Sequence, residues 1–224
     1  MGFNAKAYLF DLNGTMIDDM PYHTKAWHDI LSNELDCQLS LDELAREMYG
    51  KNEEVLKRIF GKDRFTAQEI SGLSIRKEKR YQSVYKPHLI AIPGLISFLE
   101  KSKLAGIKMG IGSAAVLDNI QFVIEGLDIC PFFDSIVSAE NVQESKPNPE
   151  TFLKGAAALK VLPIDCIVFE DAPKGVEAAL NAGMRCIVLT TMHQKNEFTH
   201  YSNIIAFASD YNEIMGLLLP ESNI

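Results

Sequence analysis

Apolar and polar positions follow two rhythms along the 224-residue chain, and the change of rhythm marks a change of architecture. Ala5 to Phe10 is a short apolar run that breaks into Asp11-Leu12-Asn13-Gly14-Thr15, the pattern of a buried strand entering a turn. From about 17 to 88 the apolar spacing is helical throughout. Behind Pro21, the residues Tyr22, Ala26, Trp27, Ile30, Leu31 and Leu35 share one face. Ser40 and Glu43 form a capping box ahead of Leu41, Leu44, Ala45 and Met48, with Gly50 as the stop. Asn52 is the expected cap of a third helix through Val55, Leu56, Ile59 and Phe60, closed by Gly61. Thr66 and Glu69 open a longer fourth helix that must end before Pro87.

After Pro93-Gly94 the pattern turns into short apolar runs separated by helices. A helix is predicted to about Ala105, then a strand at Ile107–Ile111, a helix to about Leu127 and a short strand at Ser135–Ser138. Asn148-Pro149 opens the next helix, Cys166–Phe169 is a strand, and Pro173–Ala182 is a helix stopped by Gly183. Cys186–Leu189 and Ile204–Ala208 complete the strands. Continuous apolar strands alternating with helices predict an α/β fold with a parallel sheet covered on both faces. The expected division is a core of residues 1–16 and 89–224, interrupted after its first strand by a helical insert of 17–88.

Composition narrows the function classes without choosing one. The formal charge is −8, with 47% hydrophobic and 23% charged residues, as in an ordinary packed protein. No basic excess is available to neutralise phosphates, so nucleic acid is not an expected partner. No apolar stretch reaches the roughly 18 to 20 residues of a membrane span, and no membrane association is expected. Lys6 and Asp11 bracket only a short apolar run, so no secretory signal is expected. Cys37, Cys130, Cys166 and Cys186 lie far apart and read as free thiols of a cytoplasmic protein, expected to be a monomer. His23, His28, His88, His193 and His200 show no metal-ligand spacing.

Candidate chemistry collects at the carboxyl ends of the predicted strands, where open parallel sheets bind ligands. Asp11 leaves the first strand, Ser113 the Ile107 strand and Glu170-Asp171 the Cys166 strand, while Lys146 precedes a helix. Crowded carboxylates repel one another unless a cation joins them, and a hard divalent ion such as Mg²⁺ suits oxygen ligands. A serine hydroxyl and a lysine ammonium suit phosphate oxygens, and a remaining carboxylate can attack phosphorus. The composite points to Mg²⁺-assisted phosphoryl transfer. Read singly, Ser113 could instead cap a helix, Glu170-Asp171 could do the same, and Trp27 belongs to the core stripe.

Taken in order, Asp11-Leu12-Asn13-Gly14-Thr15, Ser113, Lys146-Pro147 and Glu170-Asp171 resemble the four signature segments of the haloacid dehalogenase-like superfamily. The strings Ser145-Lys146-Pro147-Asn148-Pro149 and Phe169 through Val176, with Tyr22-His23-Thr24-Lys25-Ala26-Trp27 in the insert, resemble its β-phosphoglucomutase-like branch. The resemblance spans essentially the whole chain. It implies a doubly wound, Rossmann-like core and a helical cap that closes over the site and supplies leaving-group contacts. It implies that Asp11 is a nucleophile that becomes phosphorylated and also ligates Mg²⁺. Ser113 and Lys146 would bind phosphate oxygens, Asp171 would ligate the metal directly, and Glu170 would do so through water. The substrate would be a small phosphorylated metabolite, and Thr15, His23, Lys51, Asn52 and Ala114 are the candidate contacts to it.

Two positions depart from the pattern. Asn13 stands where the family carries its general acid/base aspartate, whose backbone carbonyl is a metal ligand. An amide keeps the shape and the carbonyl but cannot move a proton. Three explanations stand open: a replacement that traps an intermediate; an enzyme whose leaving group needs no proton or that recruits Asp18, Asp19 or His23; or a relative that binds rather than turns over. Asn13-Gly14 is also a deamidation-prone pair. The second departure is in Met48-Tyr49-Gly50-Lys51-Asn52-Glu53, where Tyr49 and Glu53 replace the lysine and arginine with which the branch's mutases grip a second phosphate. Ala115-Val116 likewise replaces a polar pair. The expectation is therefore phosphatase action on a sugar phosphate or similar metabolite, with a β-phosphoglucomutase-type isomerisation as the alternative. Gly110-Ile111-Gly112-Ser113-Ala114-Ala115 also fits a dinucleotide fingerprint, but no acidic residue clearly follows about 20 positions on.

Overall fold

The computed structural model describes residues 5–218. The chain up to Asp18 and from Ile90 onward forms one compact unit, and Asp19–Leu89 forms a second. The first strand, β1 (Ala7–Phe10), is followed by the four helices of the second unit: α1 (Met20–Glu34), α2 (Leu41–Ala45), α3 (Asn52–Phe60) and α4 (Ala67–Tyr85). The first unit resumes with α5 (Leu95–Leu104), β2 (Lys108–Gly112), α6 (Leu117–Gly126), β3 (Ser135–Val137) and α7 (Glu150–Leu159). It ends with β4 (Cys166–Glu170), α8 (Pro173–Asn181), β5 (Arg185–Leu189), β6 (Ile204–Ala208) and α9 (Tyr211–Leu218). Among the described residues no helix is long and apolar enough to cross a membrane.

The strands form one six-stranded sheet in the order β3-β2-β1-β4-β5-β6, with every pair parallel. The chain winds outward from β1 through β2 to β3, then returns to place β4 on the other side of β1. The switch point of the winding therefore lies between β1 and β4, whose ends carry Asp11 and Glu170. All four residues of β1 are buried, because helices cover both faces. Its alternation sorts them: Tyr8 and Phe10 join Phe98, Phe169 and Tyr211 in an aromatic layer, with the Phe10 and Phe169 rings stacked at 4.7 Å. Ala7 and Leu9 face the opposite core with Phe152, Ala156, Val168 and Val176.

The glycines of the dinucleotide-like string serve this packing. A Cβ on Gly110 would strike the Ser135 hydroxyl, and one on Gly112 would press on Thr151 and Phe152 of α7. They admit close neighbours rather than a pyrophosphate.

In the helical unit, Trp27, Ile30, Leu31, Leu44, Val55, Leu56, Ile70 and Leu73 form a separate core. Both capping boxes are formed: Glu43 N–H donates to Ser40 Oγ at 3.3 Å, and Glu69 N–H to Thr66 Oγ1 at 3.3 Å. The third helix differs from expectation. Lys51 is its cap and Asn52 its first residue, because Glu54, three positions on, takes the Lys51 N–H at 2.8 Å. Pro21 sits one place inside α1, behind Met20. The predicted strands shift by up to two residues at their ends, and Glu170 belongs to β4 instead of following it.

Candidate active site

Asp11 follows β1 directly, and its N–H extends the β1–β4 ladder by donating to Phe169 O at 3.0 Å. The turn behind it is tight: Met16 N–H returns to Leu12 O at 2.8 Å, and Gly14 N–H to Ile17 O at 2.7 Å. Gly14 adopts φ +76°, and a Cβ there would collide with the Asp171 carboxylate, so two requirements select glycine. Thr15 Oγ1 donates to Asp171 Oδ1 at 3.2 Å, tying the turn to the segment after β4.

Lys146 is the centre of the cluster. Its ammonium donates to Asp11 Oδ1 at 2.6 Å and to Glu170 Oε1 at 2.8 Å, and lies 4.6 Å from the centre of the Phe152 ring. The other Glu170 oxygen accepts from the Asp171 and Ala172 N–H groups, both at 2.9 Å. Gly175, in the first turn of α8, leaves room for the Glu170 side chain, which a Cβ would displace. Asp11, Glu170 and Asp171 are all buried.

Three buried carboxylates thus share one lysine. Burial raises the Asp11 carboxyl above its usual range, and Lys146 and Glu170 act on it in opposite senses. Asp171 is raised further by burial and by both neighbouring carboxylates. Lys146 is held upward by Asp11 and Glu170 against its own burial, so it stays charged. Tyr211, buried beneath, is pushed upward by burial and by Asp11 and Asp171, and its hydroxyl donates to Thr15 O at 3.1 Å.

The donor set suits a hard divalent cation. Among the described residues no three His, Cys, Asp or Glu side chains converge as a ligand set. Of the four expected members, Asp11, Asn13, Glu170 and Asp171, Glu170 has its oxygens on Lys146 and on the Asp171 and Ala172 N–H groups. The one Lys146 ammonium does not balance the three carboxylates of Asp11, Glu170 and Asp171, and the Asn13 carbonyl is an oxygen donor that such a side-chain set does not include. Mg²⁺ is held by one or two carboxylates, carbonyls and waters, so this set fits it.

The other expected residues fall into two places. Ser113 directly follows β2 in the core unit, wholly buried, with its N–H on Val137 O at 3.0 Å and its Oγ accepting from Ala115 N–H at 3.2 Å. Ala114 is half-buried beside it. His23, Lys51 and Asn52 belong to the helical unit. There His23 Nε2 faces Asp19 Oδ2 at 3.3 Å, and Lys77 Nζ donates to His23 Nδ1 at 2.6 Å. Lys77 also donates to both Glu78 oxygens at 3.1 and 3.2 Å, and Tyr81 OH donates to Asp19 Oδ2 at 2.5 Å. Asn52 Nδ2 reaches Glu78 Oε1 at 2.6 Å. Sequence reasoning missed Lys77, although Leu73, Lys77 and Tyr81 recur at the four-residue spacing of one buried helix face. No local signal pointed to Tyr211 or Thr191.

Carboxylates and a lysine gathered at the switch point of a doubly wound sheet are the layout of an α/β enzyme site. A family model described as haloacid dehalogenase-like hydrolase matches residues 8–189, and the chain belongs to that family of enzymes, in its β-phosphoglucomutase-like branch. It is 34% identical to the beta-phosphoglucomutase of Bacillus subtilis over 80% of each chain. It is 33% identical to hexitol phosphatase A of Escherichia coli over 83% of each. Its fold matches the crystal structure of a beta-phosphoglucomutase from Clostridium difficile with a TM-score of 0.82 and 28% identity, covering 94% of this chain and 93% of that one.

Proposed function

We propose that this enzyme is a Mg²⁺-dependent phosphatase of small phosphorylated metabolites, sugar phosphates above all, acting through an aspartyl-phosphate on Asp11. The observation that supports it most is the Lys146 ammonium bridging Asp11 and Glu170 at the ends of adjacent strands, beside Asp171. Names of relatives that act on hexitol phosphate and fructose 1-phosphate agree with this substrate class.

In this reading a carboxylate oxygen of Asp11 forms the new bond to phosphorus as the ester P–O bond breaks, and the sugar leaves as an alkoxide. Lys146 holds Asp11 in position, binds a phosphate oxygen and restrains the nucleophile's charge. Ser113 offers its hydroxyl to another phosphate oxygen. Asp11, Asp171 and the Asn13 carbonyl would hold Mg²⁺, which would offset the negative charge of the phosphate. Water then attacks phosphorus and frees Asp11. Asn13 cannot protonate the alkoxide, so the first step lacks a contribution of about 10²- to 10⁴-fold.

The test is phosphate release from a set of sugar and hexitol phosphates, with and without Mg²⁺, by the parent, Asn13→Asp and Asp11→Asn. The expected order is Asn13→Asp above the parent by up to about 10²- to 10⁴-fold, and Asp11→Asn inactive. Silence of both the parent and Asn13→Asp would overturn the proposal. Conversion of glucose 1-phosphate to glucose 6-phosphate with a bisphosphate primer, without phosphate release, would establish the mutase instead.

A further inference from the structure

The turn that carries Asn13 is held by more than its own residues. Three successive peptide planes are tied down in turn. The plane joining Asn13 to Gly14 is fixed by the Gly14 N–H on Ile17 O at 2.7 Å. Because a trans peptide is planar, this also fixes the Asn13 carbonyl, which points opposite to that N–H. The next plane is fixed by Thr191, whose Oγ1 donates to Gly14 O at 2.5 Å. The third is fixed by Tyr211, whose hydroxyl donates to Thr15 O at 3.1 Å. These two donors lie 177 and 196 residues away along the chain from the carbonyls they meet.

Neither hydroxyl is explained by packing. Tyr211 is wholly buried in the aromatic layer against Phe10, Phe98 and Phe169, where a phenylalanine would fill the same ring space. Its backbone N–H is anchored separately on Pro93 O at 2.9 Å. Thr191 sits two residues past β5, half-buried, where no strand ladder requires a hydroxyl. Both side chains spend their polar group on a carbonyl of the same turn.

We propose that Thr191 and Tyr211 are positioning residues that lock the turn from Asp11 to Ile17, and so keep the Gly14 N–H on Ile17 O and, with it, the Asn13 carbonyl in place. Where it concerns the carbonyl's use toward Mg²⁺, this rests on the functional reading above; the rigidity itself does not. The lock also protects the side chain. Deamidation requires the Gly14 nitrogen to attack Asn13 Cγ, forming an N–C bond as ammonia leaves, after which water opens the imide to aspartate or isoaspartate. A Gly14 N–H held on Ile17 O, between fixed planes, must break that bond to make the approach, which slows it.

The test compares the parent with Thr191→Val, Tyr211→Phe and Thr191→Ser. Peptide mapping follows Asn13 deamidation on incubation at mildly alkaline pH, and hydrogen exchange follows the segment 11–17 against β4. Loss of one hydrogen bond predicts a roughly three- to tenfold acceleration of both in Thr191→Val and Tyr211→Phe, with β4 unchanged and Thr191→Ser close to the parent. Parent rates in both variants would overturn the proposal, as would equal acceleration in β4 or a Thr191→Ser as fast as Thr191→Val. In a parallel thermal-shift titration with Mg²⁺ alone, half-saturation should rise by a similar factor in the two variants. A parent that Mg²⁺ fails to protect would overturn the metal reading of the function, while exchange and deamidation still decide the positioning.

Discussion

The two units of this chain each bury a charged cluster, and the clusters are balanced differently. In the core, Asp11, Glu170 and Asp171 share the single ammonium of Lys146. In the helical unit, Lys77 and His23 meet Asp19 and Glu78, so each base has an acid and each acid a donor. Burial and neighbouring carboxylates raise Asp171 in the first. Burial lowers His23 and Lys77 in the second, where the two bases compete for one proton across a 2.6 Å contact. The helical cluster sets two bases against two acids and reads as structure. The core cluster is short of positive charge, which is what a site for a cation and an anionic substrate requires.

Removing the lysine of each cluster gives the largest contrast. Lys146→Met leaves two buried carboxylates uncompensated and should cost about 3–5 kcal/mol in urea unfolding at about pH 8, and clearly less near pH 5.5, where Asp11 takes up a proton. Lys77→Met should cost only about 1–3 kcal/mol, since it also relieves His23. Equal losses at both pH values would erase the distinction.

A smaller effect distinguishes the clusters by pH. Asp11 and Asp171 titrate above their unfolded value of about 3.9, so the stability they lend the metal-free protein is present below that pH and is lost as pH rises through their raised values. Mg²⁺ competes with those protons, and its gain in Tm should therefore grow between about pH 5.5 and pH 8. A pH-independent gain would mean that it binds elsewhere. His23 has the opposite sign. Its folded pKa lies below the unfolded value of about 6.5, so its stability is present above that pH and is lost as pH falls toward the depressed value. Acidification to about pH 5 should cost at most about 2 kcal/mol through this residue, and His23→Gln should remove that dependence. The smallest expected effect is Asn52→Ala, about 0.5–1.5 kcal/mol for its bond to Glu78, with no change in the core cluster's Mg²⁺ response.

Much of the architecture was legible because it is local. Strand runs and helical spacing are written in neighbouring residues, as are the Ser40 and Thr66 capping boxes. Asn52 shows the limit: a good capping residue lost its place to Lys51 because Glu54 sits three positions after Lys51. The site was legible in part, since Asp11, Ser113, Lys146, Glu170 and Asp171 stand at strand ends or in recognisable strings. What each side chain does there was not. Glu170 clasps Lys146, 24 residues away along the chain, a pairing that no string of neighbouring residues records.

By itself the sequence determined the alternation of strands and helices, the place of the insert, and the carboxylates, lysine and amide available to the site. These follow from periodicity and residue type, which act over a few positions. Only the tertiary structure decided which charges meet, which stay uncompensated, and that Thr191 and Tyr211 close on the turn behind Asp11. Hydrogen bonds and desolvation depend on distances of about 3 Å between groups that the chain can separate by almost its whole length, and no local pattern records those distances.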